Sequence, residues 1–493
     1  MSADAEPSSD GAGGPVGAAR RMMARGDLDG AWTALRRIAD AGRPEAAAPV
    51  FYELGKLLRG NDPSRARAAF ELAYAAGDDR TVALSAIRLA MLAKAAGETD
   101  RAQAYYEHAV RCGIAGVAGT AAFNLGLLFR QAGDTERAEL WYREALSDEY
   151  VEVSAKAALG LALLREAAGD LDSARELLRQ AMETGRDEIP SQAAHVLGEL
   201  LWREGSTAQA EAVLWRAVRA GRSPASLSLG RLLIAEGRPA EAEAVLRDAA
   251  DRYGDAAVLL ALGDLLVRRI DQGADMAQLI ASPGLENFVH GYGSHLPAGP
   301  EVEEAEQRYR QAVAAGEHSA LVRLGHLLIG TGRVPEAERV LREAVEAGAA
   351  DAEAVLATSL HLRGEDAQAA RVLEPAVAAG NARALVVRAD LYGHEGRDAE
   401  AADVLRRAIS AGGARFGAAV FLFIHLVRLD DLDAAAGTLR EMLATHDQFS
   451  LGLLEAFVVD EPPLTDLLRQ ARASTAGHAI RLFTEGFAAE VQD

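Results

Sequence analysis

Apolar residues recur along this chain with helical spacing, in stretches of roughly 12–15 residues that single glycines interrupt. The segment from Phe123 to Leu146, FNLGLLFRQAGDTERAELWYREAL, shows the unit. Leu-Gly-x-Leu marks a first helix and a glycine-led turn follows. A second helix then carries Ala138, Tyr142 four residues later, and Ala145. The same frame returns as HVLGELLWREGSTAQAEAVLWRAV, LSLGRLLIAEGRPAEAEAVLRDAA and VRLGHLLIGTGRVPEAERVLREAV.

The first alanine of each second helix sets the register: Ala31, Ala66, Ala102, Ala138, Ala174, Ala210, Ala242, Ala305, Ala337, Ala369, Ala401 and Ala435. Neighbours in this series lie 32 to 36 residues apart, with one gap of 63. Four residues after each alanine stands Leu35, Phe70, Tyr106, Tyr142, Leu178, Leu214, Leu246, Tyr309, Leu341, Leu373, Leu405 or Leu439. A small residue where helices cross, with a large one a turn later, is a packing pattern. It predicts an all-α solenoid of about twelve helix pairs, in which each unit buries its apolar face on the next.

The turns follow the same logic. Gly26, Gly97, Gly133, Gly169, Gly205, Gly237, Gly332, Gly364 and Gly396 end first helices. Asp, Thr, Ser or Pro often comes next, as a cap or first-turn proline. A second set, Gly77, Gly113, Gly185, Gly221, Gly316, Gly348, Gly380 and Gly412, closes the units.

The pattern resembles the tetratricopeptide repeat and the related Sel1-like repeat over residues 16–446. The residues that carry the resemblance are Leu125-Gly126, Leu197-Gly198, Leu229-Gly230, Leu324-Gly325, the twelve alanines and Trp141-Tyr142. The early tryptophan and closing proline of the tetratricopeptide pattern are absent from most units, and the unit lengths straddle the two families. The resemblance implies a right-handed superhelix whose first helices line a concave groove for peptides or proteins. Asn124 stands where one asparagine of the family's carboxylate clamp for chaperone tails would, but Ile87 and Met91 occupy the clamp positions of the preceding unit. The resemblance therefore does not extend to chaperone-tail binding.

Composition adds limits. Hydrophobic residues make up 49% of the 493 positions and aromatics only 5%, which suits close-packed, alanine-rich helices. The net charge of −21 has the wrong sign for a protein that tracks phosphates, so nucleic acid is not an expected partner. Cys112 is the single cysteine, so neither a disulfide within the chain nor a cysteine-based zinc site is expected. The opening MSADAEPSSDGAGGP lacks the pattern of a secretory signal, and no run of about 18 apolar residues occurs. A cytoplasmic location without membrane insertion is the expectation. Only Lys56, Lys94 and Lys156 among the 52 basic residues are lysine, a skew that fits a GC-rich genome.

Three segments depart from the repeat. Residues 1–15 are small, polar and acidic and are expected to be disordered. Residues 447–493, broken by Pro462-Pro463, are expected to form a helical cap. Residues 271–300 form an insertion between a plain first helix and a plain second helix, which accounts for the gap of 63. His290, Tyr292 and His295 within it match no metal-ligand spacing.

No catalytic or cofactor motif emerges. There is no Gly-x4-Gly-Lys-Ser/Thr loop, and Gly11 to Gly14 follow no strand. There is no His-Glu-x-x-His, since His394-Glu395-Gly396 ends a repeat helix, and Ser294 is not in a nucleophile elbow. The first helices offer more, on a line at i, i+4, i+7 clear of the Leu-Gly core. It reads Tyr52-Lys56-Arg59, Ile87-Met91-Lys94 and Phe123-Leu127-Arg130, with Lys156 near it. Later it reads His195-Glu199-Trp202, Leu260-Asp264-Val267, Val322-His326-Ile329 and Val386-Asp390-Gly393. The sequence thus points to a non-catalytic scaffold with no cofactor and no metal. It would bind a protein or peptide partner, with acidic and apolar segments in the N-terminal half. The alternatives are a regulator that responds to a ligand or peptide, and an enzyme built on the insertion.

Overall fold

The computed structural model describes residues 14–183, 188–273, 296, 299–411 and 415–444. They divide into two compact units at Leu232 and Leu233. Among the described residues there are 24 helices and no strand. The first unit contains α1 (Pro15–Ala24), α2 (Leu28–Asp40), α3 (Pro44–Leu58), α4 (Pro63–Ala76), α5 (Asp79–Ala95) and α6 (Thr99–Arg111). It continues with α7 (Val117–Gln131), α8 (Thr135–Leu146), α9 (Val151–Ala167), α10 (Leu171–Met182), α11 (Glu188–Arg203) and α12 (Thr207–Arg219). Helix α13 (Ser223–Ala235) crosses the division. The second unit contains α14 (Pro239–Tyr253), α15 (Ala256–Gly273), α16 (Pro300–Ala314), α17 (Ser319–Gly330), α18 (Val334–Glu346) and α19 (Ala352–His361). Helices α20 (Asp366–Ala378), α21 (Ala382–His394), α22 (Asp398–Ala411), α23 (Arg415–Arg428) and α24 (Leu432–Ala444) follow. Odd-numbered helices are the first helices of the repeats and even-numbered ones the second. The expectations for residues 1–13, for 274–295 with His290, Tyr292 and His295, and for 445–493 lie outside the described residues.

The alanine register is a buried register. All twelve alanines have zero exposure. The large residues four positions later, from Leu35 to Leu405, are at most 2% exposed. The side chain of Leu439 is outside the described residues. Opposite several of these large residues, across the helix pair, the first helix presents almost no side chain. A Cβ on Gly55 would stand 2.7 Å from the Phe70 ring, one on Gly198 2.5 Å from Leu214, and one on Gly325 2.4 Å from Leu341. Tyr142 is held from two sides: Cβ atoms on Gly126 and Gly160 would come within 2.5 and 2.8 Å of its ring. Alanine takes the corresponding position at Ala19, Ala90, Ala357 and Ala389, all of zero exposure, and in α23 it is Phe423.

Packing follows the chain. Within each unit, α13 aside, a first helix packs on its own second helix and, where one precedes it, on the second helix before it. First helices also pack on one another, α3 on α5, α5 on α7, α7 on α9 and α9 on α11 in the first unit. In the second unit α17 packs on α19 and α19 on α21. Successive second helices make no comparable contact. The first helices therefore form the crowded inner layer of each unit.

Gly133 shows how the helices end. Its φ of +77° is left-handed, where glycine has no steric penalty. Its N–H donates to the Arg130 carbonyl at 3.1 Å and the Asp134 N–H to Phe129 at 2.9 Å, closing α7. The Asp134 carboxylate then accepts the Arg137 N–H at 3.0 Å and opens α8. The other eight first-helix glycines are left-handed too. Gly77 departs from the expected closing set: its φ of −78° is ordinary, and Asp78 directly behind it caps α5 by accepting the Thr81 N–H. Gly185 and Gly412 lie outside the described residues.

A second contact between repeats has no counterpart in the expectations. The residue after the register alanine is often glutamate, and an arginine from the next first helix or the turn behind it reaches back to it. Arg165 pairs with Glu139, Arg269 with Glu243 at 2.5 Å, Arg333 with Glu306 at 2.6 Å, and Arg363 with Glu338 at 2.7 Å. Glu338 is 2% exposed, so this carboxylate needs both Arg363 and Arg342, the latter at 3.0 Å.

Gly126→Val and Ala138→Leu each insert carbon where the Tyr142 crossing has no space. Each should cost about 1–3 kcal/mol in chemical denaturation, the usual penalty of overpacking. Leu140→Ala on the same helix, at a position 61% exposed, should stay within about 0.5 kcal/mol of wild type. Unchanged stability in the first two variants would show that the register alanine and its facing glycine are not at a tight crossing.

Candidate partner-binding groove

The inner layer of the first unit is not flat. Helices α3, α5, α7, α9 and α11 line a cavity of about 590 Å³ with Tyr52, Leu84, Ile87, Arg88, Met91 and Phe123 on one part of its wall. Gly116, Val117, Thr120, Asn124, Val153, Lys156 and Ile189 complete it. The N-terminus of α7 is pinned there by Asp148, whose Oδ2 accepts the N–H of Gly116 at 3.0 Å and of Gly119 at 3.2 Å. A carboxylate at that end also complements the helix dipole. Gly116 sits at φ +74°, and a Cβ there would meet the Tyr150 ring at 2.7 Å, so glycine is required on both counts.

The wall is mainly apolar. Phe123 packs on Tyr142 with ring centroids 5.8 Å apart, and Tyr52 on Phe70 at 5.9 Å. Burial pushes the Tyr142 phenol above its ordinary pKa and that of Tyr106 up to about 12, so both stay neutral. Met91 is 42% exposed, a large flexible apolar side chain facing solvent. Two lining residues are cationic, Arg88 and Lys156, and none is acidic. Neither cation has a carboxylate partner among the described residues; Arg88 Nη1 lies 3.8 Å from Met91 Sδ. Asn124 donates to the Thr120 carbonyl at 2.9 Å, inside its own helix.

Of the residues on the expected line, Tyr52, Ile87, Met91, Phe123 and Lys156 face this cavity. The others do not line it. Lys56 is exposed, pairs with Glu53 at 2.9 Å and stands 5.5 Å over the Tyr52 ring. Arg59 is exposed at the end of α3, and Lys94 is half-buried in the last turn of α5. Leu127 and Arg130 are half-buried on α7, and Leu127 packs into the core beside Tyr142. Trp202 is half-buried near the end of α11. Leu84, Arg88, Thr120 and Asn124 were missed. Helical side chains lean toward the N-terminus, so the wall takes in residues three before and one after each anchor.

His195 belongs to a separate polar cluster between α11 and α13. Its Nε2 contacts Ser228 Oγ at 3.0 Å, that hydroxyl donates to Glu199 at 2.7 Å, and Arg222 donates to Nδ1 at 3.5 Å. The hydrogen bond with His195, helped by that with Ser228, lowers the Glu199 carboxyl to a pKa of about 2. A depressed carboxyl contributes stability that is complete above its ordinary range and is lost as pH falls through the folded value. The melting-temperature gap between wild type and Glu199→Gln should hold from about pH 7 to 5 and shrink below the ordinary carboxyl range, about 4.3. A gap that does not vary with pH would remove Glu199 from this network.

No helix among the described residues is long and apolar enough to cross a membrane. A family model described as tetratricopeptide repeat matches residues 87–152, 159–226, 195–257 and 301–354. No curated protein matches the chain. Among solved structures, a tetratricopeptide repeat protein from Parabacteroides merdae is 18% identical, over 55% of this chain and 99% of that one, with a TM-score of 0.38. The c5321 protein, a protective antigen of uropathogenic Escherichia coli strains with an SLR fold, is 17% identical over 90% and 96%, at 0.45. Yeast Tom70 is 14% identical over 84% and 100%, at 0.33. These likenesses carry no argument about a partner. The repeated Leu-Gly and alanine register, the paired helices that realise it and the family match agree: the chain carries tetratricopeptide repeats over the matched residues.

Proposed function

We propose that this protein is a non-catalytic scaffold that holds an acidic, apolar segment of a protein partner in the cavity of the first unit. The carrying observation is the composition of that wall: two cations, no carboxylate, and an apolar remainder, on a chain of net charge −21. A tetratricopeptide architecture supports the reading, because it suggests a protein-interaction scaffold. Apolar anchors such as Phe123, Ile87 and Met91 would supply most of the binding energy, as buried apolar and aromatic contacts do at interfaces. Arg88 and Lys156 would set orientation and association rate, which is what charges partly screened from water do best. The overall negative field repels acidic segments elsewhere on the surface, so the cavity selects where they dock.

The test is fluorescence anisotropy on the full chain with two labelled peptides, one alternating Glu with Leu and Phe, the other with Lys in place of Glu. The acidic peptide should bind and lose affinity as salt rises. Arg88→Glu with Lys156→Glu should weaken it by at least about tenfold, ~1.4 kcal/mol, and flatten the salt dependence. Phe123→Ala should weaken it without changing the salt slope. Equal binding of both peptides, or none of either, would overturn the proposal.

A further inference from the structure

The second unit carries a chemistry that the scaffold reading does not use. His361 ends α19, Asp390 and His394 lie one turn apart on α21, and Asp366 opens α20. One ligand atom from each of His361, Asp390 and His394 lies within 4.8 Å of the others. His361 Nε2 is 3.6 Å from Asp390 Oδ2, and His394 Nε2 is 3.9 Å from Asp390 Oδ1. The two imidazoles meet edge to face with centroids 4.5 Å apart. Ligands bound tetrahedrally at about 2.0–2.1 Å stand about 3.3 Å from one another, so small side-chain movements bring these donors onto one ion.

Three further features suit coordination. His361 Nδ1 lies 2.6 Å from Asp366 Oδ1. Donation of the Nδ1 proton to that carboxylate leaves Nε2 with a free lone pair directed at Asp390, the arrangement by which an outer carboxylate orients a metal-bound histidine. Asp390 is only 9% exposed, so its negative charge is placed where a cation gains most from it. The His394 side chain is 44% exposed, which leaves the remaining coordination positions open to solvent. Two imidazoles and one carboxylate are borderline donors that favour a divalent transition ion over magnesium or calcium.

We infer that His361, Asp390 and His394 form a binding site for one divalent transition-metal ion of the zinc class, with Asp366 as the outer partner that fixes His361. The ion bridges α19 and α21, successive first helices, and so braces two consecutive repeats of the second unit. The residues are 29 and 33 positions from His361 along the chain, which is why no motif announces them.

Isothermal titration of the chelator-treated full chain with zinc chloride tests this, against magnesium chloride as the comparison. The wild type should bind one zinc ion per chain at this site, melt at higher temperature with zinc, and respond to neither measure with magnesium. His394→Gln, at an exposed position, should fold and lose at least about tenfold in affinity, and Asp366→Asn should lose about 10–100-fold. His108→Gln, whose imidazole instead meets Tyr74, should bind as wild type does. Failure of the wild type to bind zinc, or equal affinity in folded His394→Gln and wild type, would overturn the site.

Discussion

Everything else in this molecule depends on one contact: a large side chain of the second helix seated where the first helix has almost none. Tyr142 shows its strictest form, with glycine from its own repeat on one side and glycine from the next on the other. A methylene added at either glycine must move a ring of zero exposure, so the spacing of the helices is set by sterics and not by propensity. Glycine within a helix costs about 1 kcal/mol relative to alanine. Burial of a tyrosine or leucine on that spot outweighs the loss, since a fully buried large apolar side chain contributes roughly 1.5–3 kcal/mol. Tyr309 follows the same rule with one addition: it packs on Gly263 and its hydroxyl donates to Asp264 at 2.9 Å, so the buried polar end is satisfied.

That constraint explains how much of the fold was legible. Small and large residues four apart recur on every second helix, and a turn glycine precedes nine of the twelve, so pairing and register can be read from spacing alone. The contacts between repeats are less visible. Glu139, Glu243, Glu306 and Glu338 share one position, but their arginines come from residues 25 to 27 further on, some on a helix and some in a turn. Surface glutamate and arginine are so common that their pairing cannot be seen before the repeats are stacked. The cavity departs from the expected line in a narrower way. A straight line at i, i+4, i+7 finds Tyr52, Ile87, Met91 and Phe123 but continues to Lys56, Lys94 and Arg130, which leave the cavity as the helices run on. Gly77 shows the limit of reading a turn from glycine alone, because Asp78 does the capping while Gly77 keeps an ordinary backbone.

The inner layers of the two units share geometry and differ in chemistry. The position after the facing small residue is Lys56, Met91 and Leu127 early in the chain, and Asp264, His326, Thr358 and Asp390 later. Since the small residue fixes the helix pair, its neighbour on the inner side is free to vary without disturbing the stack. In the first unit the neighbours leave an apolar wall with two cations. In the second they are polar groups, Thr358 and Asp390 buried and Asp264 partly exposed; desolvation of the His326 ring nitrogens lowers that imidazole to a pKa of about 3, so it stays neutral at any physiological pH.

A net charge of −21 would ordinarily spread a repulsive field over the protein surface. Here much of the arginine is spent on carboxylates between repeats, as in the Glu306, Arg310, Arg333 and Glu336 cluster, where hydrogen bonds from Arg333 and Arg310 lower both glutamates against the penalty of burial. Ion pairs at this exposure stabilise little one at a time, but a network that joins consecutive repeats resists their sliding. Cations held this way are already neutralised for any visitor. Arg88 and Lys156 are different because the wall around them supplies no carboxylate, so their charge remains available to a partner. The same repeat thus separates two settings for basic residues: those that reach back to the preceding helix hold the stack together, and those on the inner layer that reach no carboxylate are the ones to which the scaffold proposal assigns recognition.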